Sequence, residues 1–421
     1  MFPSTFRAHH RRVVVTGLGV VSSAGCDLST FWTNVVTGRH AAAPIRAFDT
    51  SRLPCKLGAE VLGFDASNYL NPTKLRRFDP ALVFCVAAAK KALLDSGLSL
   101  ENVPLSRVGV VEGASVTGIH HMLENASRYE RSGHRAVSVS MTVNAYTGGG
   151  ASEVAIELGL RGTAATIANA CSSGNDAISY AADAITQNRA DVILAGASDA
   201  PLVAPYYSVF LNAGVLSQRP EPPSAMLPFD VDRAGFVLGE GSAFLVLEEL
   251  THAVSRGASI YAELLGYGQG ADAFSNVATP DDGRGMFQAV EQTLLNAQIS
   301  PDEVDYCNAH ASATQINDPI ELSVYNRIFG RRRRRHLQVS GTKPATGHTM
   351  GAIAAIEAAI CCLAIRHQII PPTAGLTRPI PSGSVDLVRG EARPFPVRTT
   401  LNYNAGFGGK CSALVFSSRN L

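Results

Sequence analysis

The sequence predicts an α/β fold, a β-sheet with helices on its faces. Three observations carry that prediction. Runs rich in β-branched residues alternate with helical periodicity along nearly the whole chain. Hydrophobic residues make up 46% of the 421 and charged residues 17%, enough to bury a sizeable core. The 38 glycines supply the tight turns such an alternation needs. In order, Arg12–Val21 reads as a strand because it is β-branched and runs into glycines. The same reasoning predicts strands at Val108–Val111, Ala164–Ile167, Val192–Ala195, Ala243–Leu247, Ile260–Leu265, Val304–Cys307, Leu337–Ser340, Thr399–Tyr403 and Ala413–Phe416. Between them, helical patterns cover Leu28–Val36, Lys74–Ser96, Asn144–Leu158, Asp176–Asn188, Met286–Ala297, Pro319–Phe329 and Met350–His367. Gln218–Pro228 holds four prolines and predicts a surface loop. Tyr267–Arg284 is a Gly/Asp-rich break, which places one half at 1–266 and the other at 267–421. Both halves follow one plan, in which a strand leads through a small-residue turn bearing a reactive side chain into a helix, as at Thr166–Ser179 and Val304–Val324.

Composition excludes several classes. Basic and acidic residues number 36 and 35, a net charge of +1, so bulk charge does not make this a nucleic-acid binder. One Trp and 7% aromatics argue against carbohydrate platforms. No pair among the eight cysteines has the C-x-x-C spacing of a zinc or redox site, so no metal is expected and a reducing, cytoplasmic setting is. Met1–Arg12 lacks the pattern of a secretory signal. The longest apolar stretch, Gly351–Ile365, carries Glu357 in its middle and is too short to span a bilayer; it predicts a buried helix and no membrane insertion.

Four segments could carry chemistry. Thr16-Gly17-Leu18-Gly19-Val20-Val21-Ser22 has part of a dinucleotide fingerprint but lacks its third glycine and a partner acid, so it reads as a tight strand-to-helix turn. Ala168-Asn169-Ala170-Cys171-Ser172-Ser173-Gly174-Asn175 puts a thiol where a buried strand gives way to a helix. There the macrodipole favours a nucleophilic thiolate, and small neighbours leave room for an acyl group. The bland alternative is an inert core cysteine. Asn308-Ala309-His310-Ala311-Ser312 and Gly341-Thr342-Lys343-Pro344-Ala345-Thr346-Gly347-His348 each set a histidine in a small-residue turn. One thiol turn and two histidine turns together predict a cysteine–histidine–histidine site. Glu357, inside an apolar helix, needs a partner or a proton, and Lys343 is the plausible mate.

With these turns, the opening Arg12-Val13-Val14-Val15-Thr16-Gly17-Leu18-Gly19, the central Pro228-Phe229-Asp230 through Gly239-Glu240-Gly241, and Gly406-Phe407-Gly408-Gly409, the chain resembles a β-ketoacyl-acyl carrier protein synthase. In style it is closest to synthase II of the thiolase-like superfamily. The resemblance implies two duplicated halves in α-β-α-β-α layers, a dimer, and an active site between the halves. It implies that Cys171 accepts the acyl group and that His310 and His348 promote malonyl decarboxylation. Lys343 would organise the site with Glu357, and the backbone N–H groups of Cys171 and Phe407 would form the oxyanion hole. No cofactor of its own is implied, because phosphopantetheine arrives on the acyl carrier protein.

The family usually has Gly-Thr-x-Thr-Pro after the first histidine. Here stand Ala311, Ser312, Ala313, Thr314 and Gln315, where Ser312 and Thr314 keep hydroxyls for pantetheine. Ala405 replaces a usual Phe before the loop of Gly406, Phe407 and Gly408, and Lys410-Cys411 replaces Thr-Asn, which hints at a specialised substrate. Lys74, Arg76 and Arg77 match the basic helix with which relatives dock the carrier, whereas the run Arg331–Arg335 reads as a solvated loop. The leading expectation is therefore decarboxylative Claisen condensation in fatty acid or specialised lipid synthesis. Its rival is the ketosynthase subunit of a type II polyketide or polyene system, a heterodimer with a related chain-length subunit in place of a homodimer. A non-catalytic scaffold is opposed by Cys171 and both histidines, and a thiolase by the two-histidine pattern.

Overall fold

The computed structural model describes residues 11–331, 335–419 and 421. Positions 332–334 of the arginine run and most of the basic N-terminal segment lie outside the described residues.

Eleven strands form one sheet. They are β1 (Val13–Ser22), β2 (Val108–Gly113), β3 (Ala164–Ile167), β4 (Val192–Asp199), β5 (Gly241–Glu249), β6 (Ala262–Ala271), β7 (Tyr306–Asn308), β8 (Leu337–Ser340), β9 (Val385–Leu387), β10 (Thr399–Gly406) and β11 (Lys410–Ser417). Their order is β9-β8-β7-β10-β11-β6-β1-β5-β4-β2-β3. The first five and last six strands follow the same path, except that β9 adds an outer strand, so the duplication expected from sequence is written in the strand order. The two halves of the sheet meet where Val14 and Val15 of β1 pair with Glu263 and Ala262 of β6. The division expected at 266/267 falls inside β6, whose residues as far as Ala271 pair with β11. Glycines at 266, 268 and 270 made this strand read as a break, but they let α7 (Arg284–Ala297) lie close against it.

Helices complete five layers. The outer pair α2 (Pro80–Ser96) and α4 (Gly149–Leu158) cover the first sheet. The central pair, α5 (Ser173–Thr186) and α9 (Ile353–His367), pack on each other between the two halves of the sheet, and α9 touches β5 of one half and β10 of the other. On the far face lie α7 and α8 (Asn317–Phe329). Every residue of α9 from Ile353 to Ile365 is buried, as its apolar run predicts.

Other expectations shift in detail. The fingerprint-like segment is no turn but the middle of β1, where a Cβ at Gly19 would lie 2.1 Å from the Ala88 carbonyl oxygen of α2. The glycines allow a helix to press onto the strand. The helix expected over Lys74–Ser96 is broken: a turn at Pro72–Leu75 ends, and α2 begins at Pro80 with Asp79 as its cap, accepting from the Ala81 N–H at 3.1 Å. A proline inside the helix would have lost the bond to residue 76, so it stands at the first helical position instead. Helix α3 (Ile119–Ser132) escapes the periodicity reading because Asn125 is its only buried residue, while Met122, Leu123 and Tyr129 face outward.

Candidate active site

The nucleophile turn starts at the end of β3, the outermost strand of the first half. Helix α5 begins earlier than the sequence suggests, at Ser173, with Ser172 as its cap residue, so Cys171 stands immediately before the helix. Ser173 fixes the turn from inside, its Oγ donating to the carbonyls of Ala170 at 2.6 Å and Ala114 at 3.1 Å. Ala170 is held at φ 50. The hairpin of β10 and β11 presses onto this turn. A Cβ on Gly406 would come 2.9 Å from the Cys171 nitrogen, and Ser172 Oγ donates to the Lys410 carbonyl at 2.9 Å.

His310 stands two residues past the end of β7, and His348 two residues past the short helix Lys343–Thr346. Their rings lie 5.6 Å apart at 80°, and Phe236 packs edge-on against His348 at 4.8 Å. The Met350 N–H donates to His348 Nδ1 at 3.3 Å, which leaves the ring proton of a neutral His348 on Nε2. Burial and the Lys343 ammonium push both histidines well below their ordinary range, so both imidazoles are neutral.

Behind them, Lys343 Nζ donates to Glu357 Oε1 at 2.9 Å and also to the His310 carbonyl, with neither charged side chain exposed. Asn404 Nδ2 donates to Glu357 Oε2 at 2.6 Å. Burial lifts the Glu357 carboxyl to about 7, against the pull of Lys343. The expected ion pair is therefore present, at the back of the site.

A cavity of about 490 Å³ opens onto Cys171, His310 and His348, and Ser312, Thr314 and Phe407 line it too. Ala405, Gly406 and Gly408 form its wall beside the Phe407 ring, which stacks on Phe210 at 6.2 Å. Ala311 and Ala313 stand at φ 44 and 60, and Met350 at φ 54. The left-handed turn after the first histidine thus persists without the family's glycine, at a cost of about 1–2 kcal/mol per alanine.

Two expectations need correction. The helix N-terminus does not leave Cys171 a resting thiolate: burial pushes its thiol up to about 12, although Lys343 pulls the other way. Alkylation of Cys171 by a small haloacetamide is accordingly expected to rise about tenfold per pH unit from pH 7 to 10. A plateau beginning below pH 7 in stopped alkylation assays would mean a preformed thiolate. Lys74 does not offer a free charge, since Glu153 and Glu157 both hold its ammonium. Arg76 and Arg77 stay exposed.

Sequence reasoning missed Glu321 on α8, whose carboxylate accepts from the backbone N–H groups of His310 at 2.7 Å and Ala311 at 2.8 Å. Its one signal is an acid on a helix face that is otherwise buried. Asn404 and Asp199 were missed as well.

Known proteins resemble this chain over nearly its whole length. The family model for the N-terminal domain of β-ketoacyl synthases matches residues 10–253, and the model for their C-terminal domain matches residues 261–377. A 3-oxoacyl-[acyl-carrier-protein] synthase 2 of Coxiella burnetii is 37% identical over 408 residues, 97% of this chain and 98% of that protein. A putative polyketide β-ketoacyl synthase 1 of Streptomyces halstedii is 38% identical over 424 residues, with 97% and 98% covered. Among solved structures, the ishigamide ketosynthase/chain length factor superposes with a TM-score of 0.90 at 31% identity, covering 97% of this chain and 99% of that one. The AntDE:AntF complex, a type II polyketide carrier protein with its ketosynthase, gives 0.88 at 32% identity with the same coverage.

Proposed function

The chain belongs to the β-ketoacyl synthase family, and from that premise we propose the following reaction. Cys171 sulfur attacks the thioester carbonyl of an acyl carrier protein; the bond to the phosphopantetheine sulfur breaks, and that thiol leaves with the proton. A malonyl carrier thioester then loses CO₂, and the electron pair left behind forms an enolate. The Nε2–H of His348 and a ring N–H of His310 stabilise its oxygen. The enolate carbon attacks the acyl carbonyl on Cys171, whose oxyanion accepts from the backbone N–H groups of Cys171 and Phe407. That attack forms the carbon–carbon bond; collapse of the oxyanion then re-forms the carbonyl and breaks the bond to the Cys171 sulfur, which leaves as a thiolate and takes up a proton. Lys343 and Glu357 hold the His310 turn, and Ser312 and Thr314 receive the pantetheine arm.

The observation that carries this reading is a thiol at a helix N-terminus and two neutral imidazoles facing a single cavity. Neutral imidazoles can donate to a developing oxyanion without first losing a charge. The test is mass spectrometry after incubation with a panel of acyl carrier proteins. An adduct confined to Cys171, consumed on adding malonyl carrier protein with release of CO₂, is expected. No adduct from any carrier would overturn the reading.

Arg76 and Arg77 belong to the docking side of this proposal. Reversing both charges is expected to raise the KM for carrier substrates several-fold and weaken its salt dependence, leaving small thioesters unaffected. An unchanged carrier KM would remove the patch.

A ketosynthase-like partner also belongs to this reading. Strand β3 is an unpaired sheet edge, and Met122, Tyr129, Val139 and Tyr146 expose apolar surface. These features support a dimer with a second copy or with a chain-length subunit. The likeness to the ishigamide pair favours keeping the polyketide or polyene reading beside fatty acid synthesis. All eight cysteines are free, which supports the reducing, cytoplasmic setting. Among the described residues the one helix long and apolar enough to cross a membrane is Met350–His367, and it is buried in the core.

A further inference from the structure

Asp199 ends β4 with no solvent exposure, yet among the described residues no cationic side chain hydrogen-bonds to it. Its carboxylate is instead caged by donors from two distant parts of the chain. From the loop after β2, Ser115 donates its N–H at 3.1 Å and its Oγ–H at 2.8 Å, and Val116 donates its N–H at 2.8 Å. From the other half, the Gly351 N–H donates at 2.6 Å. Only glycine fits at 351, since a Cβ there would lie 2.8 Å from both Asp199 Oδ2 and the Ser115 nitrogen.

Each side of this cage leads to a reacting group. On the first side, the Ala114 carbonyl beside Ser115 accepts from Ser173 Oγ, which holds the Cys171 turn. On the second, Gly351 follows Met350, whose left-handed backbone aims its N–H at His348 Nδ1. We propose that Asp199 is a positioning residue that clamps the His348 turn against the nucleophile turn and so keeps His348 Nε2–H aimed into the cavity. The inference rests on the reading of His348 as an enolate donor. A strained turn persists only where its surroundings over-determine it, and the Gly351–Asp199 bond supplies that constraint. An ionised acceptor makes the stronger bonds in such a cage.

The two half-reactions separate a positioning role from a general structural one. Asp199→Asn keeps the shape but turns an amide toward N–H donors. It is expected to slow malonyl-carrier decarboxylation about 10- to 100-fold, the usual cost of a catalytic group displaced by about an ångström. Acylation of Cys171, read by mass spectrometry, should stay within about threefold, because Ser173 still holds that turn. If Asp199→Asn does not fold, Ser115→Ala decides: it removes one donor and should slow decarboxylation several-fold with acylation intact. Equal losses in both half-reactions, or none in either, would overturn the proposal. His348→Ala is run alongside: normal decarboxylation there would overturn the reading of His348 itself, whereas a dead His348→Ala beside a normal Asp199→Asn would overturn the clamp alone.

Discussion

Cys171→Ala is expected to abolish acyl transfer and condensation, a fall on the order of 10⁶ where a covalent nucleophile is lost. No other group in the cavity can take over. Cys411 lines the same cavity, but its thiol is buried, accepts from the Tyr403 hydroxyl at 3.3 Å and is pushed up to about 12 by burial and by the carboxylates of Asp272, Glu321 and Asp176. Cys171 has the same high value but stands at a helix N-terminus, with Lys343 favouring its thiolate. Intact-mass and peptide spectra of the variant, incubated with acyl carrier proteins, should show no adduct. Acyl groups recovered on Cys411 would show that proximity to the cavity suffices and that the helix terminus has no special part.

The second large effect concerns the histidines. His310→Ala and His348→Ala are each expected to lower malonyl decarboxylation by about 10² to 10³, the usual cost of one oxyanion donor. Self-acylation should survive in part, since that step needs the thiol. The pH dependence gives an independent check. Both pKa values are depressed, so the neutral, donating form persists below the ordinary imidazole range and disappears only when pH falls through the lowered values. Decarboxylation by the parent enzyme should therefore be flat between pH 6 and 8, in CO₂-release assays with malonyl carrier protein, as far as these groups govern it. A loss of rate with an inflection near 6.5 that persists in Glu357→Gln, where the carboxyl at about 7 is gone, would show that at least one ring is charged there.

The reactive side chains were legible because each follows a strand and sits among small residues, a local pattern visible within about ten positions, although the strand before Cys171 is a partly exposed sheet edge and not the buried one expected. Cys171, His310 and His348 needed no knowledge of the rest of the chain. Glu357 was legible for the opposite reason: a carboxylate inside an apolar helix demands a partner. What stayed hidden acts across distance. Lys74 reads as a free cation until the fold brings Glu153 and Glu157 to it from 79 and 83 positions away. Asp199 and Glu321 bind backbone N–H groups, which leave no mark in residue types. The glycines of β1 and β6 were misread as turns because periodicity does not distinguish a glycine that bends the chain from one that admits a helix.

Helix α9 bears on how the chain is made. It is the innermost piece of the molecule, with all of Ile353 to Ile365 buried, yet it is synthesised after more than four-fifths of the sequence. Until it emerges, β5 and α5 lack the cover that α9 gives them, so the first half leaves the ribosome with part of its apolar side open. At about 5–20 residues per second this exposure lasts many seconds, a period in which collapse is long complete and aggregation competes. The first half is thus a poor candidate for expression alone, and a chaperone that shields nascent apolar surface has more to do here than in a protein whose halves each close their own core.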